Sequence, residues 1–305
     1  MTTPERSRSL ASEAEHEPVL AAEVVSFLAP RPDGVYVDAT IGLGGHTAAL
    51  LDAGAGRVIG IDRDALALDR ARSRLAGHGD RVAFVHADYR DVAEVLARMG
   101  QASVNGVLAD FGVSSLQLDD AGRGFSFRQE GPLDMRMDPS RGAALKDRLA
   151  GVEEDALATV IRTYGEERQA RRVARAIVRA QTHGALTSTT ALAAVIRRAV
   201  GSRTWQRIDP ATRTFQALRI WVNDELAGVE AFLPAAVAAL VPGGRLATIA
   251  FHSLEDRAVK HTFRRWAAEG AVTLVTRRPV VPGDAEQARN ARSRSAKLRV
   301  VEKVA

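Results

Sequence analysis

The chain has 305 residues, 46% of them hydrophobic, enough for one large domain or two ordinary ones around a sizeable core. It has no cysteine, which excludes disulfides, thiolate metal sites and thiolate nucleophiles, and it has no apolar run of membrane-spanning length. The formal net charge of +5 is uneven: residues 116–219 hold 18 Lys/Arg against 12 Asp/Glu, which marks either a polyanion-facing region or an arginine-rich solvated surface.

Residues 1–17 are polar and mixed in charge, without the apolar stretch of a secretory signal. They read as a disordered lead-in to a cytoplasmic protein. Strand patterns follow at 35–38, 57–62, 81–85 and 104–110, separated by helical patterns at 47–53, 65–75 and 92–99. This alternation predicts βαβ units and a parallel sheet. The pattern changes in 116–219. Residues 119–140 carry Gly122, Gly124, Gly131, Pro132 and Pro139 and read as loop; helices are expected at 153–162, 166–182 and 188–200, the last capped within Thr187-Ser188-Thr189. A helical insertion is expected here, between α/β portions at 18–115 and 220–305. The α/β pattern resumes with a long helix at 215–240, which Pro234 is expected to break or kink. Pro242-Gly243-Gly244 reads as a turn, 245–251 as a strand and 255–268 as a helix. Two β-rich pieces, 271–276 and 297–304, read as a closing antiparallel pair.

The strongest local signal is Val37-Asp38-Ala39-Thr40-Ile41-Gly42-Leu43-Gly44-Gly45-His46, a strand, a glycine-rich turn and a helix start. Such a turn brings backbone N–H groups close to a ligand, and by itself also fits a dinucleotide loop. Two details favour S-adenosyl-L-methionine. Thr47 stands where the dinucleotide fingerprint has its third glycine, and Asp38 would repel a pyrophosphate but suit a cofactor bearing an ammonium and a sulfonium. Asp62, at the next strand end, is placed to take ribose hydroxyls, and Tyr89, after Asp88, to flank adenine. Asp110 ends the fourth strand, where it would serve chemistry or cap a helix. With no cysteine, carbon-5 methylation of a pyrimidine through a covalent adduct is excluded, so the methyl acceptor must itself be a nucleophile.

With these residues the chain resembles the bacterial 16S rRNA (cytosine-N4)-methyltransferase family over nearly all of 16–299. The resemblance rests on His16-Glu17-Pro18-Val19-Leu20, the 38–46 loop, Gly112-Val113-Ser114-Ser115 and Arg123-Gly124-Phe125-Ser126-Phe127. It continues through Gly131-Pro132-Leu133-Asp134-Met135-Arg136-Met137-Asp138 and Tyr164-Gly165-Glu166-Glu167. It ends with Phe215-Gln216-Ala217-Leu218-Arg219-Ile220, Phe251-His252-Ser253-Leu254-Glu255-Asp256-Arg257, Asn290 and the segment 292–299. It implies a Rossmann-like class I methyltransferase sheet with an inserted helical RNA-recognition domain, and S-adenosyl-L-methionine contacts at Gly44, Gly45, His46, Asp62, Tyr89, Asp110 and Gln117. The implied substrate is a cytosine in the decoding centre of 16S rRNA, presented in the small ribosomal subunit. No metal or membrane is implied, and a homodimer is admitted. Phe111, Leu116, Ala250 and Asp209 depart from the family's usual leucine, proline, serine and histidine, so no role of that histidine carries over.

Asp110 and His252 are the expected polar groups at the amine. Phe125, Phe127 and Trp205 are candidates to stack on a base, and the five basic residues of 289–299 are candidates for phosphate contacts. The rival readings are a non-catalytic RNA-binding protein, a methyltransferase on a non-RNA substrate and an NAD-linked oxidoreductase.

Overall fold

The computed structural model describes residues 18–201 and 209–305. The lead-in expected at 1–17 and the arginine-flanked Trp205 lie outside the described residues. After helix α1 (Ala21–Leu28), the first portion runs β1 (Val35–Asp38), α2 (Gly45–Asp52), β2 (Arg57–Asp62), α3 (Ala65–Arg74), β3 (Val82–His86), α4 (Val92–Arg98) and β4 (Val104–Asp110). Six helices and one further helix follow before the sheet resumes: α5 (Ser115–Asp119), α6 (Leu145–Ala150), α7 (Glu154–Gly165), α8 (Ala170–Thr182), α9 (Thr189–Val200), α10 (Ala211–Asn223) and α11 (Glu225–Ala238). The chain then adds β5 (Leu240–Ala250), α12 (Ser253–Ala268), β6 (Val272–Leu274), α13 (Asp284–Arg289) and β7 (Lys297–Lys303).

Among the described residues the sheet order is β3-β2-β1-β4-β5-β7-β6. The first five of these strands pair in parallel, and β7 runs antiparallel between β5 and β6. The expected closing pair is therefore present. Alternate side chains enter opposite layers, as the two-residue strand period demands. Val37, Ile59, Val107 and Leu246 join one layer with α4, α11 and α12. Tyr36, Val58, Leu108 and Ala247 join the other, with α1, α2 and α3.

A third apolar cluster lies off the sheet. Leu157 and Ile161 of α7, Val173 and Ile177 of α8, Leu192 and Ile196 of α9, and Phe215, Leu218 and Val222 of α10 pack together with Met135. Helix α10 thus runs across position 219. Phe125 and Phe127, the expected base-stacking residues, belong to this packing. Phe125 is 7% exposed, and the Phe127 ring sits edge-on to Phe215 at 4.7 Å with the Arg197 guanidinium over it at 5.4 Å. The Phe125 ring is thus taken up by the helical core, whereas Phe127 packs against it and stays half-buried.

Three segments differ from the sequence expectation. The helix expected over 166–182 begins at Ala170, because Glu166 adopts a left-handed conformation (φ 49°) and ends α7. Gly165 lies against the Arg213 carbonyl, where a Cβ would come within 2.6 Å of the oxygen, so α7 crosses α10 closely there. The long helix expected over 215–240 is two helices, and the break falls at Asp224 (φ 49°), with Pro234 carried inside α11. The turn expected at Pro242-Gly243-Gly244 is a bulge within β5: Val104 pairs with Leu240 and Gly106 with Arg245, so the corner loops out without ending the strand.

Candidate active site

A cleft of about 620 Å³ opens at the C-terminal ends of β1, β2, β4 and β5, the crevice where open α/β sheets bind ligands. The glycine-rich turn after β1 forms one wall. Gly42 and Gly44 take left-handed conformations (φ 52° and 78°), which glycine adopts without a steric penalty. Gly45 and His46 line the cleft, whereas Gly44 backs onto Leu75, where a Cβ would sit 2.8 Å from Cδ1. Asp38 does not reach the cleft. It is 1% exposed, and its Oδ2 accepts a 2.8 Å hydrogen bond from the Thr47 hydroxyl. The carboxylate expected to face a cationic ligand instead fastens the turn to α2, and this accounts for threonine where a dinucleotide loop has glycine. Burial pushes the Asp38 carboxyl above its ordinary range, against the pull of His46 and Thr47.

Asp62, at the end of β2, also lines the cleft. Its Oδ2 accepts from Gly42 N (2.8 Å) and its Oδ1 from Asp64 N (2.9 Å), leaving one lone-pair direction on each oxygen. Desolvation outweighs these hydrogen bonds and raises its pKa to about 6. Two residues on, Asp64 is 3% exposed and caps α3. Its Oδ2 accepts from the Gln117 amide (3.0 Å) and from the Arg123 guanidinium (2.7 Å), which in turn donates to the Met137 carbonyl (2.8 Å). Gln117 is positioned by a capping box with Ser114 at the start of α5 and faces the cleft. Tyr89 lines the cleft too, its ring held edge-on to Phe232 at 5.4 Å.

Asp110 stands at the tip of β4, its N–H donating to the Thr40 hydroxyl at 2.7 Å. Its Oδ2 lies 3.6 Å from His46 Nε2, and its buried Oδ1 has no hydrogen-bond partner among the described residues. Burial works against protonation of His46, but Asp110, Asp38 and Glu286 outweigh it and raise the imidazole above its ordinary value. Asp110 and His46 thus face each other on the cleft wall, a contact that becomes an ion pair when the imidazole is protonated.

His252 does not line the cleft. Its Nδ1 accepts from Glu255 N (3.4 Å), so the imidazole caps α12, and its buried Nε2 lies 3.0 Å from Glu255 Oε1. Glu255 faces the cleft in its place, next to Arg219 and Glu225. Arg219 donates to both Glu225 oxygens (2.9 and 2.8 Å). The donor atoms of Glu225, His252 and Glu255 lie within 4.8 Å of one another, a metal-like spacing, but the guanidinium already occupies Glu225. Arg219 and Glu255 stand within sequence motifs that carry no site expectation for either. The signal available was a charged residue set among apolar neighbours, as in Leu218-Arg219-Ile220.

Asp209, where histidine is usual, accepts from Arg197 (2.8 Å) and from Ala211 N (2.8 Å), an ion pair and cap at the start of α10. In the basic tail, Arg299 and Lys297 pair with Asp256 and belong to the sheet, while Arg292 reaches the cleft mouth and pairs with Asp119.

The model of the MraW methylase family matches residues 13–304. The chain belongs to this family. The chain is 52% identical over 293 residues to a ribosomal RNA small subunit methyltransferase H of Sorangium cellulosum, with 95% of this chain and 91% of that protein covered. It is 48% identical over 307 residues to the protein of that name in Geobacter sulfurreducens, covering 95% and 99%. Among solved structures, an rRNA methylase from Streptococcus thermophilus aligns with a TM-score of 0.45 and 12% identity over 93% of this chain and 95% of that chain.

Proposed function

We propose that this protein transfers the methyl group of S-adenosyl-L-methionine to the exocyclic N4 amine of a cytosine in the decoding centre of 16S rRNA, presented in the small ribosomal subunit. The observation that carries this reading is Asp110: a carboxylate at the central strand end, facing the cleft, with a buried oxygen that lacks a partner among the described residues. Relatives named as small-subunit ribosomal RNA methyltransferases support the RNA.

The residues present fit the cofactor. The buried ring nitrogens of His46, Oδ1 of Asp110 and the Ser115 hydroxyl lack hydrogen-bond partners among the described residues on or beside one cleft, and buried polar groups left so point to a ligand. Asp62 would accept the ribose hydroxyls on its free lone pairs, Tyr89 would flank the adenine, and Gly45 and Gln117 would close the remaining contacts. When bound, S-adenosyl-L-methionine supplies an electrophilic methyl. Cytosine's amine is a weak nucleophile because its lone pair is delocalised into the ring. Asp110 accepts a hydrogen bond from its N–H, so that lone-pair density gathers on nitrogen as the new bond forms. Helix α8 presents Arg171, Arg172 and Arg179 to solvent, a surface suited to phosphates. We assign the helical body at 116–219, with the rest of α10, as the RNA-recognition part.

The direct test is mass spectrometry of small-subunit RNA from cells with and without this protein. Loss of one N4-methylcytosine in its absence is expected; an unchanged modification pattern would refute the proposal. Affinity for S-adenosyl-L-methionine should also depend on Asp62. Above about pH 6 its carboxylate is ionised and accepts both hydroxyls; below it, protonation removes an acceptor. The Kd should rise by up to about tenfold per pH unit below that value. Calorimetry from pH 5 to 8 checks this, and a flat profile would remove Asp62 from the ribose.

A further inference from the structure

We propose that Arg219 and Glu255 form a donor–acceptor pair that reads the Watson–Crick edge of the target base and selects cytosine over uracil. The inference rests on the cytosine reading above and names residues to which nothing so far gives a role.

Both side chains line the cleft. Arg219 commits Nε and Nη2 to Glu225, which leaves Nη1 without a partner among the described residues. Glu255 is 1% exposed. Its Oε2 takes the backbone N–H groups of Phe251 (3.0 Å) and His252 (3.3 Å), and its Oε1, beside His252 Nε2, keeps a lone pair. The cluster therefore offers one fixed donor and one fixed acceptor. Burial opposes the charge on Glu255, but His252 and Arg219 overcome it and hold the carboxyl below its ordinary range. Burial likewise opposes the charge on Arg219, and Glu225 and Glu255 overcome it.

Strand register sets the anchor of Glu255 near Asp110, and Arg219 lines the same cleft. Asp110 lies opposite Ile249 in the β4–β5 ladder, and Phe111 N donates to the Ile249 carbonyl at 2.9 Å. Phe251, whose N–H anchors Glu255, comes two residues later on the same strand end. A base entering between them would meet Asp110 and Glu255 with its amine, and Arg219 with the atoms beyond it.

Cytosine matches that order. Its N4 carries two N–H donors, one for Glu255 and one for Asp110, and N3 accepts from Arg219 Nη1. Uracil presents a carbonyl at position 4 and an N–H at position 3, which sets oxygen against carboxylate and donor against guanidinium. A site whose buried polar groups are left unpaired rejects the wrong ligand far more strongly than a shape mismatch does.

The substitution Glu255→Gln tests this, because glutamine retains an oxygen for the α12 capping box while placing an amide donor toward the base. Methylation of small subunits should fall by about 100-fold or more in kcat/KM. The Kd for S-adenosyl-L-methionine should stay within about twofold and the melting temperature should not move, changes that a purely structural role would not separate. A second measurement uses the unaltered protein. Small subunits reconstituted with 3-deazacytidine at the modified position should compete about tenfold less well than those with cytidine, since Arg219 loses N3. Equal competition would overturn the inference whatever the variant does, and it decides the matter if Glu255→Gln melts early. Wild-type activity on N4 with full activity in Glu255→Gln sinks the base-reading pair alone. Absence of N4 methylation by the wild-type protein sinks the functional reading and this inference together.

Discussion

Replacing Asp110 with asparagine should lower kcat for methyl transfer to small subunits by about 100- to 10,000-fold, the range of a lost proton acceptor. Asparagine keeps the shape of the side chain and the backbone N–H that donates to Thr40, so β4 should end as before. What changes is the buried Oδ1, which has no partner among the described residues, and the 3.6 Å contact with His46. An amide at this place offers two N–H groups to an amine that also needs to donate. Single-turnover rates measured with saturating cofactor separate this effect from binding. A rate within threefold of the wild type would leave Asp110 a cofactor contact only.

The second large effect concerns stability. Arg123→Met should cost about 3–5 kcal/mol of folding free energy, the usual result of removing one partner from a buried ion pair. Asp64 is left 3% exposed, with only the Gln117 amide and the Leu66 N–H to satisfy it. The Met135–Met137 stretch loses a donor at the Met137 carbonyl. Methionine keeps much of the apolar stem, so the loss reports the charge more than the packing. Urea midpoints at fixed pH measure it, and the double variant with Asp64→Asn should recover part of the loss, because the stranded charge is gone. A change below about 1 kcal/mol would mean that the pair is solvated like a surface bridge.

The parallel strands were legible because each is a short β-branched run closed by a carboxylate or a turn, and burial on both faces demands that composition. The four expected over 35–110 lie within a residue of those observed. Pairing order was not legible, since nothing local in Val104–Asp110 says that β5 and β1 will flank it. The corner at Asp224 was hidden for a related reason. The residues on both sides form helix readily, and a non-glycine residue in a left-handed conformation leaves no compositional trace. Pro234 drew attention as the stronger helix breaker, yet it is accommodated in α11. At the site, Asp62, Tyr89 and Asp110 were visible as strand-end residues. Asp38 was misassigned because sequence proximity to the glycine turn does not say which side of it the carboxylate faces. His252 stands out in the sequence because imidazoles suit proton transfer, whereas only the α12 cap shows that the ring supports the Glu255 carboxylate. The Arg219, Glu225 and Glu255 cluster is made by three helices, α10, α11 and α12, and exists only once they are packed.

The corner at Asp224 also limits how this gene can drift in length. In an unbroken helix, Arg219 and Glu225 would point in widely different directions and could not meet; the single left-handed residue brings them into bidentate contact. Adding or deleting one amino acid there would turn all of α11 by about 100° and slide it by about 1.5 Å. Glu225 would swing off its guanidinium, and Gly228 would lose its seat under the Tyr89 hydroxyl, where no larger side chain fits. Indels should therefore be absent from this corner in working copies and collect instead in exposed stretches such as Pro139–Gly142.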